Sequence, residues 1–562
     1  MSNETVTYPT NPSDSVRYEI LRNAFTNAGR PEDFENVVEL LNPPPDITSY
    51  VTPGAHKNLK VGIIGAGLAG LSAAFELRKI GAEITLFDAM EDRIGGRVYT
   101  YYFDQDRRYY GEFGPMRIPL SHGTTWHYIN LFDLNTIPMT SPFSNNFIYV
   151  HNTRIRRDRD GSNITEYLYP LFDLRQDEKS LSWPELSDYA FDSVLRSLSA
   201  DVRKELLQIL LSYSPEYSFY INNSIREVLE MRGFSQEAIN LIASVDPMTG
   251  AMLNTSYGES LQELYSMDYL NTYRIDGGMI NLPYAFYRSL ISPNPREYDI
   301  ASDLLGNVDI KLGHIITGIY QQSSKNKVIL RYDSDYIKDA YQEFDYMICT
   351  IPFSTLREVD IEPFFTNQKM RAIEELFYPD SFKAAFLCNR RFWEENTIYG
   401  MMNGGISFTD LPIQSIVYPS DHIQGTSPLF YSPLEPGVLV ASYNVNQDSV
   451  RVANQRESRR LSLVERNVEE VHGLPDNFLD SIVESYKVVD WYQQQWSRGA
   501  FAVDLPGQKI NFAHTILEPE YNNRVFFAGE HTSVKHGWMQ GSLYSGMLAA
   551  NNLAMNLRIK DI

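Results

Sequence analysis

The segment LKVGIIGAGLAGLSAAFELRKIG sets Gly65, Gly67 and Gly70 in a G-x-G-x-x-G spacing, between an apolar run (Val61, Ile63, Ile64) and a helix-like one. Glycines at these positions permit a tight turn, let backbone N–H groups approach a pyrophosphate, and allow close helix–strand packing. The helix N-terminus adds partial positive charge that favours phosphate. A lone glycine pattern is weak, since packing alone can produce it. Here a second strand-like run, EITLFDA, follows and ends at Asp88. That is close to the ~20-residue spacing at which an acid meets a ribose hydroxyl pair. NAD and FAD sites share this fingerprint. Just beyond it, DRIGGRVYT sets Arg93 and Arg97 around Gly95 and Gly96, and guanidinium forks suit phosphate oxygens.

The elements that must position these residues can be read along the chain. At 562 residues the chain is too long for one hydrophobic core and suggests roughly three or four domain-sized units. A helical stretch near Val16–Ala28 ends at Gly29, and the Pro-rich LNPPPDITSYVTPG leads to the βαβ unit over residues 60–88. From about Trp183 to Leu270 apolar residues recur at three-to-four spacing, with Ser or Asn at the starts, as in helices. Strand signals return at HIITGIY, KVILRYD, DYMICTIPF, KAAFLCN, QSIVYPS and GVLVASYN. The strand RVFFAG then leads to a closing helix near Gly541–Asn556. A dinucleotide-binding fold thus opens the chain and its last segment completes it.

The net charge of -22 repels nucleic acid and anionic membrane surfaces, and disfavours anionic substrates such as glutamate. No apolar run reaches the ~20 residues that span a bilayer, and residues 1–15 carry no basic start and apolar run. Only two cysteines, Cys349 and Cys388, are present, which suits a reducing compartment. The expectation is a soluble, cytoplasmic protein with no nucleic-acid or membrane partner and no metal. The aromatic content of 13% suits either a large core or a pocket for apolar or aromatic side chains.

The motifs GAGLAG, Asp88, R-x-GGR and FFAGEHTSVKHGWMQGSLYSG, in this order, resemble the flavin-dependent amine oxidase superfamily. The segments GEFGPMRIP, YPDSFKAAF and HGWMQGS resemble its L-amino-acid oxidase branch. The resemblance runs from about residue 58 to 556 and is faint in the helical middle. It implies an α/β Rossmann-type FAD-binding domain with a parallel sheet, discontinuous over residues 58–120, 273–355 and 496–562. A mixed α+β substrate domain would cover 121–180 and 356–495, a helical domain 181–272, and an N-terminal extension 1–57. Gly65, Gly67, Gly70, Asp88 and Arg97 would hold the ADP half of FAD. Ile316 would offer backbone to the adenine, and Glu530 would meet the ribityl and phosphate region. Further contacts would come from Ala66, Ala89, Arg93, Gly96, Gly114, Pro115, Met116, Arg117, Gly529, Trp538 and Met539. Relatives with covalent flavin use a cysteine in the C-terminal motif, which here reads Ser533–Val534–Lys535–His536, so non-covalent FAD is expected. The resemblance also allows a homodimer.

The implied chemistry is hydride transfer from Cα of an L-amino acid to the flavin, with oxygen as the final acceptor. A carboxylate in a largely apolar pocket calls for a fixed cation, and Arg117 resembles the residue that supplies it. Tyr418 resembles a second carboxylate contact, and Lys383 the lysine that holds a water for the oxygen reaction. Trp538 resembles a wall of the substrate cage, with the Gly537 carbonyl facing the amino group. Trp496 reads as scaffold, and His314 and His536 as packing or solvent-facing residues. Some relatives carry a histidine in the helical domain proposed to deprotonate the amine. The matching stretch NTSYGESLQELYSMDYLNTYRIDGG has none, which leaves a general base unassigned. Two related chemistries remain open: an amino-acid 2-monooxygenase that yields the amide, and an amine or polyamine oxidase. From another class, a flavin-containing binding protein without turnover would require a broken site.

Overall fold

In a computed structural model that describes residues 8–139, 145–420 and 432–560, Lys60–Ile64 is a strand, Leu68–Lys79 a helix and Glu83–Phe87 the next strand. Two glycines make the turn possible. Gly65 has φ +105°, and a Cβ on Gly70 would lie 1.9 Å from the Gly65 carbonyl oxygen. The two strands belong to a parallel five-stranded sheet. Its order is Val525–Phe527, Tyr346–Cys349, Lys60–Ile64, Glu83–Phe87, Val308–Lys311. Apart from the first residue of Lys60–Ile64 and of Glu83–Phe87, the inner strands are buried throughout. That is why they read as apolar runs and not as alternating ones. The chain thus assembles one sheet from segments hundreds of residues apart, as the sequence led us to expect.

The closing helix, Met539–Lys560, lies across Leu68–Lys79. At the crossing is Gly546, where a Cβ would sit 2.0 Å from Ser72 Oγ and 2.3 Å from the Ala69 carbonyl oxygen. A seven-stranded sheet forms the second layer, in the order Val483–Asp490, Ser381–Cys388, Gly437–Val445, Ser415–Tyr418, Gly405–Thr409, Phe147–Val150, Thr153–Arg156. A four-stranded sheet, Ala340–Phe344, Lys327–Asp333, Ile315–Gln322 and Asp360–Glu362, stands beside the parallel one.

The middle of the chain is helical, in shorter pieces than the periodicity suggested. Trp183–Ala190 and Asp192–Ser197 are separate helices, as are Ile225–Met231 and Gln236–Val245. Serines start them as expected. Ser224 and Glu227 form a capping box, and Ser199 and Ser235 accept from the N–H groups of Val202 and Ala238. After Leu207 the helix expected through LLQILLSY does not continue; the next one begins at Pro215.

The N-terminal segment is packed into the molecule. Its helices, Asp14–Asn27 and Asp33–Leu41, were only half anticipated, the second being missed. Asp33, fully buried, accepts from Arg203 at 2.7 Å and from Arg30 at 3.0 Å. Arg17 donates to the Leu120 carbonyl at 2.7 Å. No helix among the described residues is long and apolar enough to cross a membrane.

Gly546→Val should wedge the two helices apart. Overpacking of this kind costs about 1–3 kcal/mol, so thermal unfolding followed by calorimetry should shift down by several degrees.

Candidate active site

A single cavity of about 720 Å³ takes its walls from all of these layers. One region is built from Gly65, Gly67, Asp88, Ala89, Arg93, Gly96 and Arg97, with Ile316 from the four-stranded sheet. Here Gly67 is open, since a Cβ on it would meet nothing within 4 Å. The helix that starts at Leu68 has no side-chain cap, so its first N–H groups are free for phosphate oxygens. The Asp88 carboxylate is fixed at both oxygens, accepting from Ala66 N at 2.6 Å and Met90 N at 2.8 Å. Burial pushes its pKa up despite these bonds. Arg93 donates to the Gly96 carbonyl at 2.6 Å and lies over the Tyr99 ring. Gly70 and Ala66 back this wall without lining it. The open glycine, the uncapped helix and the fixed acid together fit a dinucleotide cofactor.

Glu530 joins this region to the next. It accepts from Arg97 Nη1 at 2.7 Å, from Ala502 N at 3.0 Å and from Gly537 N at 3.0 Å. Beside it Gly529 and Met539, the first residue of the closing helix, line the cavity. Gly114, Pro115 and Met116 continue the wall.

The other region holds Arg117, Lys383, Tyr443, Glu263, Tyr269 and Trp538. Lys383 is buried, donates to the Gly114 carbonyl at 2.7 Å, and stands 4.5 Å from the Tyr443 ring centre. Its strand pairs with Gly437–Val445 so that Lys383 and Tyr443 are opposite. Burial, aided by the Arg117 charge and opposed by Glu112, lowers the Lys383 pKa to about 7. Arg117 itself makes no hydrogen bond or ion pair with the described residues.

The helix Tyr257–Tyr265 carries two carboxylates one turn apart, and both grip the HGW turn. Glu259 pairs with His536 Nδ1 at 3.0 Å. Glu263 accepts from Trp538 Nε1 at 2.9 Å and from the Tyr269 hydroxyl at 2.9 Å. Burial and the nearby Asp268 charge raise the Glu263 pKa to about 7. Burial disfavours a charged His536, yet Glu259 holds it protonated, with a pKa of about 10. Behind Trp538, Asp268 pairs with Lys535 at 2.7 Å and His122 at 3.1 Å; burial opposes its ionisation, but these partners hold it at about 2.

Residues 68–554 match the model of the flavin-containing amine oxidoreductase family. The chain belongs to that family. Its cofactor is FAD, and it is an oxidoreductase acting on CH–NH2 donors. It is 27% identical over 504 residues to an L-amino acid oxidase of Cerastes cerastes, covering 88% of this chain and 86% of the relative. A Dictyostelium discoideum chain named as a bifunctional amine oxidase is 28% identical over 538 residues, 89% of this chain. This flavoenzyme spans 47%, about half, of that relative's length. Among solved structures, putrescine oxidase bound to putrescine superposes with a TM-score of 0.65 at 17% identity, over 88% of this chain and 98% of that one.

One expected site residue of this amine oxidoreductase lies elsewhere. Tyr418 does not reach the cavity. Its strand runs inside the seven-stranded sheet with all four residues buried, and its hydroxyl is hydrogen-bonded to Ser407 Oγ and His472 Nε2, each at 2.8 Å. Tyr443, on the neighbouring strand, faces the cavity instead. Trp496, read as scaffold, lines the cavity, as does His314. His536 lies on the cavity wall but is held in an ion pair. Glu263 and Tyr269 were not singled out from sequence. The i, i+4 spacing of Glu259 and Glu263 was the available signal.

Glu530→Ala should strand the Arg97 guanidinium and two N–H groups, costing about 3–5 kcal/mol; calorimetry and the flavin content of the purified variant would show it, with Glu530→Gln milder on both. Tyr418→Phe should cost stability alone, about 1 kcal/mol. A changed KM for substrate in that variant would mean the tyrosine reaches the site after all.

Proposed function

We propose that the chain is an L-amino-acid oxidase, forming the 2-oxo acid, ammonia and hydrogen peroxide. The observation that carries this reading is the unpaired Arg117 guanidinium in the cavity. The guanidinium is half-buried in the cavity wall, and a carboxylate ligand would meet it through a two-pronged, charge-assisted bond. The similarity to an L-amino acid oxidase over most of both chains supports the same reading.

When bound in the region lined by Gly67, Asp88, Arg97 and Glu530, FAD would supply the two-electron acceptor for the Cα hydride and the route of those electrons to oxygen. The chain's own residues do the rest. Arg117 holds the α-carboxylate and so orients Cα. The Gly537 carbonyl accepts a hydrogen bond from the amino group. Trp538 and Tyr443, both half-buried, line the substrate region and would limit water there once a substrate fills it. Lys383, close to neutrality, can hold a water at Nζ or move a proton there. No cysteine lines the cavity among the described residues, which supports a non-covalent flavin. Much of the aromatic content packs ring on ring far from the cavity, as in Phe75 with Tyr128, Phe132 and Phe286. Composition therefore argues for no particular side chain.

An anaerobic titration of the flavin-loaded protein with single L-amino acids should bleach the flavin, and aerobic turnover should give 2-oxo acid and peroxide. Arg117→Ala should lower kcat/KM for the amino acid by about a hundredfold or more. Amide and carbon dioxide as products would indicate a monooxygenase. Bleaching by putrescine, indifferent to Arg117→Ala, with no response to amino acids would indicate an amine oxidase.

A further inference from the structure

Glu263 is a carboxylate of the cavity that lacks a cation. Of the other acids on the wall, Glu530 is paired with Arg97, Glu358 with Arg498, and Asp88 is bound by backbone N–H groups. The partners of Glu263 are neutral donors, the Trp538 indole and the Tyr269 hydroxyl. The nearest buried ammonium, Lys535, is committed to Asp268 at 2.7 Å. Each Glu263 oxygen accepts one bond and keeps a lone pair for a ligand.

Arg117 presents the opposite charge in the same region, also unpaired. Tyr269 lies within the field of both, with its hydroxyl on Glu263. A ligand that satisfies both poles carries a carboxylate at one end and a cation at the other. The aromatic side chains Tyr443 and Trp538 line the same cavity, and such faces suit a methylene stem and a cationic head. The protein's net charge of -22 further concentrates cationic solutes at its surface.

The cation that Glu263 meets need not be the α-ammonium. An amine must be neutral to release hydride from Cα, so a carboxylate holding it protonated would oppose the reaction. The Gly537 carbonyl is the better partner for that nitrogen. We propose that the preferred substrate is an L-amino acid with a positively charged side chain, its carboxylate on Arg117 and its terminal ammonium or guanidinium on Glu263. This deepens the amino-acid oxidase reading and rests on it.

The test compares kcat/KM of the flavin-loaded protein for L-lysine, L-arginine and L-ornithine with that for L-leucine and L-phenylalanine. The basic substrates should lead by about 10- to 100-fold, the range of a charge-assisted bond. In Glu263→Gln the amide can still accept from Trp538 and meet Tyr269, and the lysine-to-leucine ratio should fall by a similar factor. A wild-type preference for leucine or phenylalanine overturns the proposal. So does a ratio unmoved in Glu263→Gln, which would leave Glu263 as a positioning residue for Trp538. Both failures still show turnover of neutral L-amino acids, whereas loss of all response to L-amino acids removes the oxidase reading itself.

Discussion

The Glu530 carboxylate is where three stretches of chain meet. Arg97 comes from the turn after the first βαβ unit, Ala502 from the segment that approaches the closing strand, and Gly537 from the turn before the last helix. The Arg97 and Ala502 contacts reach across 433 and 28 residues of sequence, while the Gly537 contact closes a turn seven residues on. The cofactor region and the substrate region can share one cavity only if this junction holds. Phosphate-facing glycines on one side and the HGW turn on the other are registered against each other through that one side chain.

The same turn is held a second time by the helix Tyr257–Tyr265. Its two acids split their tasks by partner. Glu259 meets a histidine and becomes one half of an ion pair, whereas Glu263 meets two neutral donors and, with its pKa raised to about 7, is only partly ionised near neutral pH until a cation reaches it. Identical side chains one helical turn apart are thereby given different protonation behaviour by their surroundings. Glu263 thereby differs from the other acids on the cavity wall, each held by a cation or by backbone N–H groups, and Arg117 differs from the wall cations Arg93, Arg97 and Lys383, each of which donates to a carbonyl or carboxylate oxygen.

How much of this was legible depended on whether a signal was local. The Gly65 turn, Asp88 and the R-x-GGR segment were readable because backbone geometry and phosphate chemistry constrain residues close in sequence. The split parallel sheet was readable from apolar strands buried on both faces. Tyr418 was misread because two tyrosines, Tyr418 and Tyr443, sit in similar apolar strands. Which one faces the cavity is set by pairing with Lys383 across the sheet, which no local pattern encodes. Glu263 stayed hidden because its meaning comes from Trp538, hundreds of residues later. The long helices expected in the middle proved fragmented, since tertiary packing overrides the periodicity that suggested them.

The parallel sheet also has a temporal side. Its outermost strand, Val525–Phe527, pairs with Tyr346–Cys349, and the helix that covers Leu68–Lys79 comes later still. At ~5–20 residues per second on the ribosome, the early half of the nucleotide fold waits on the order of tens of seconds for both. Through that interval an apolar strand edge and a helix face rich in alanine and glycine stand uncovered. The sheet that carries the nucleotide region is therefore complete only when nearly the whole chain has been made.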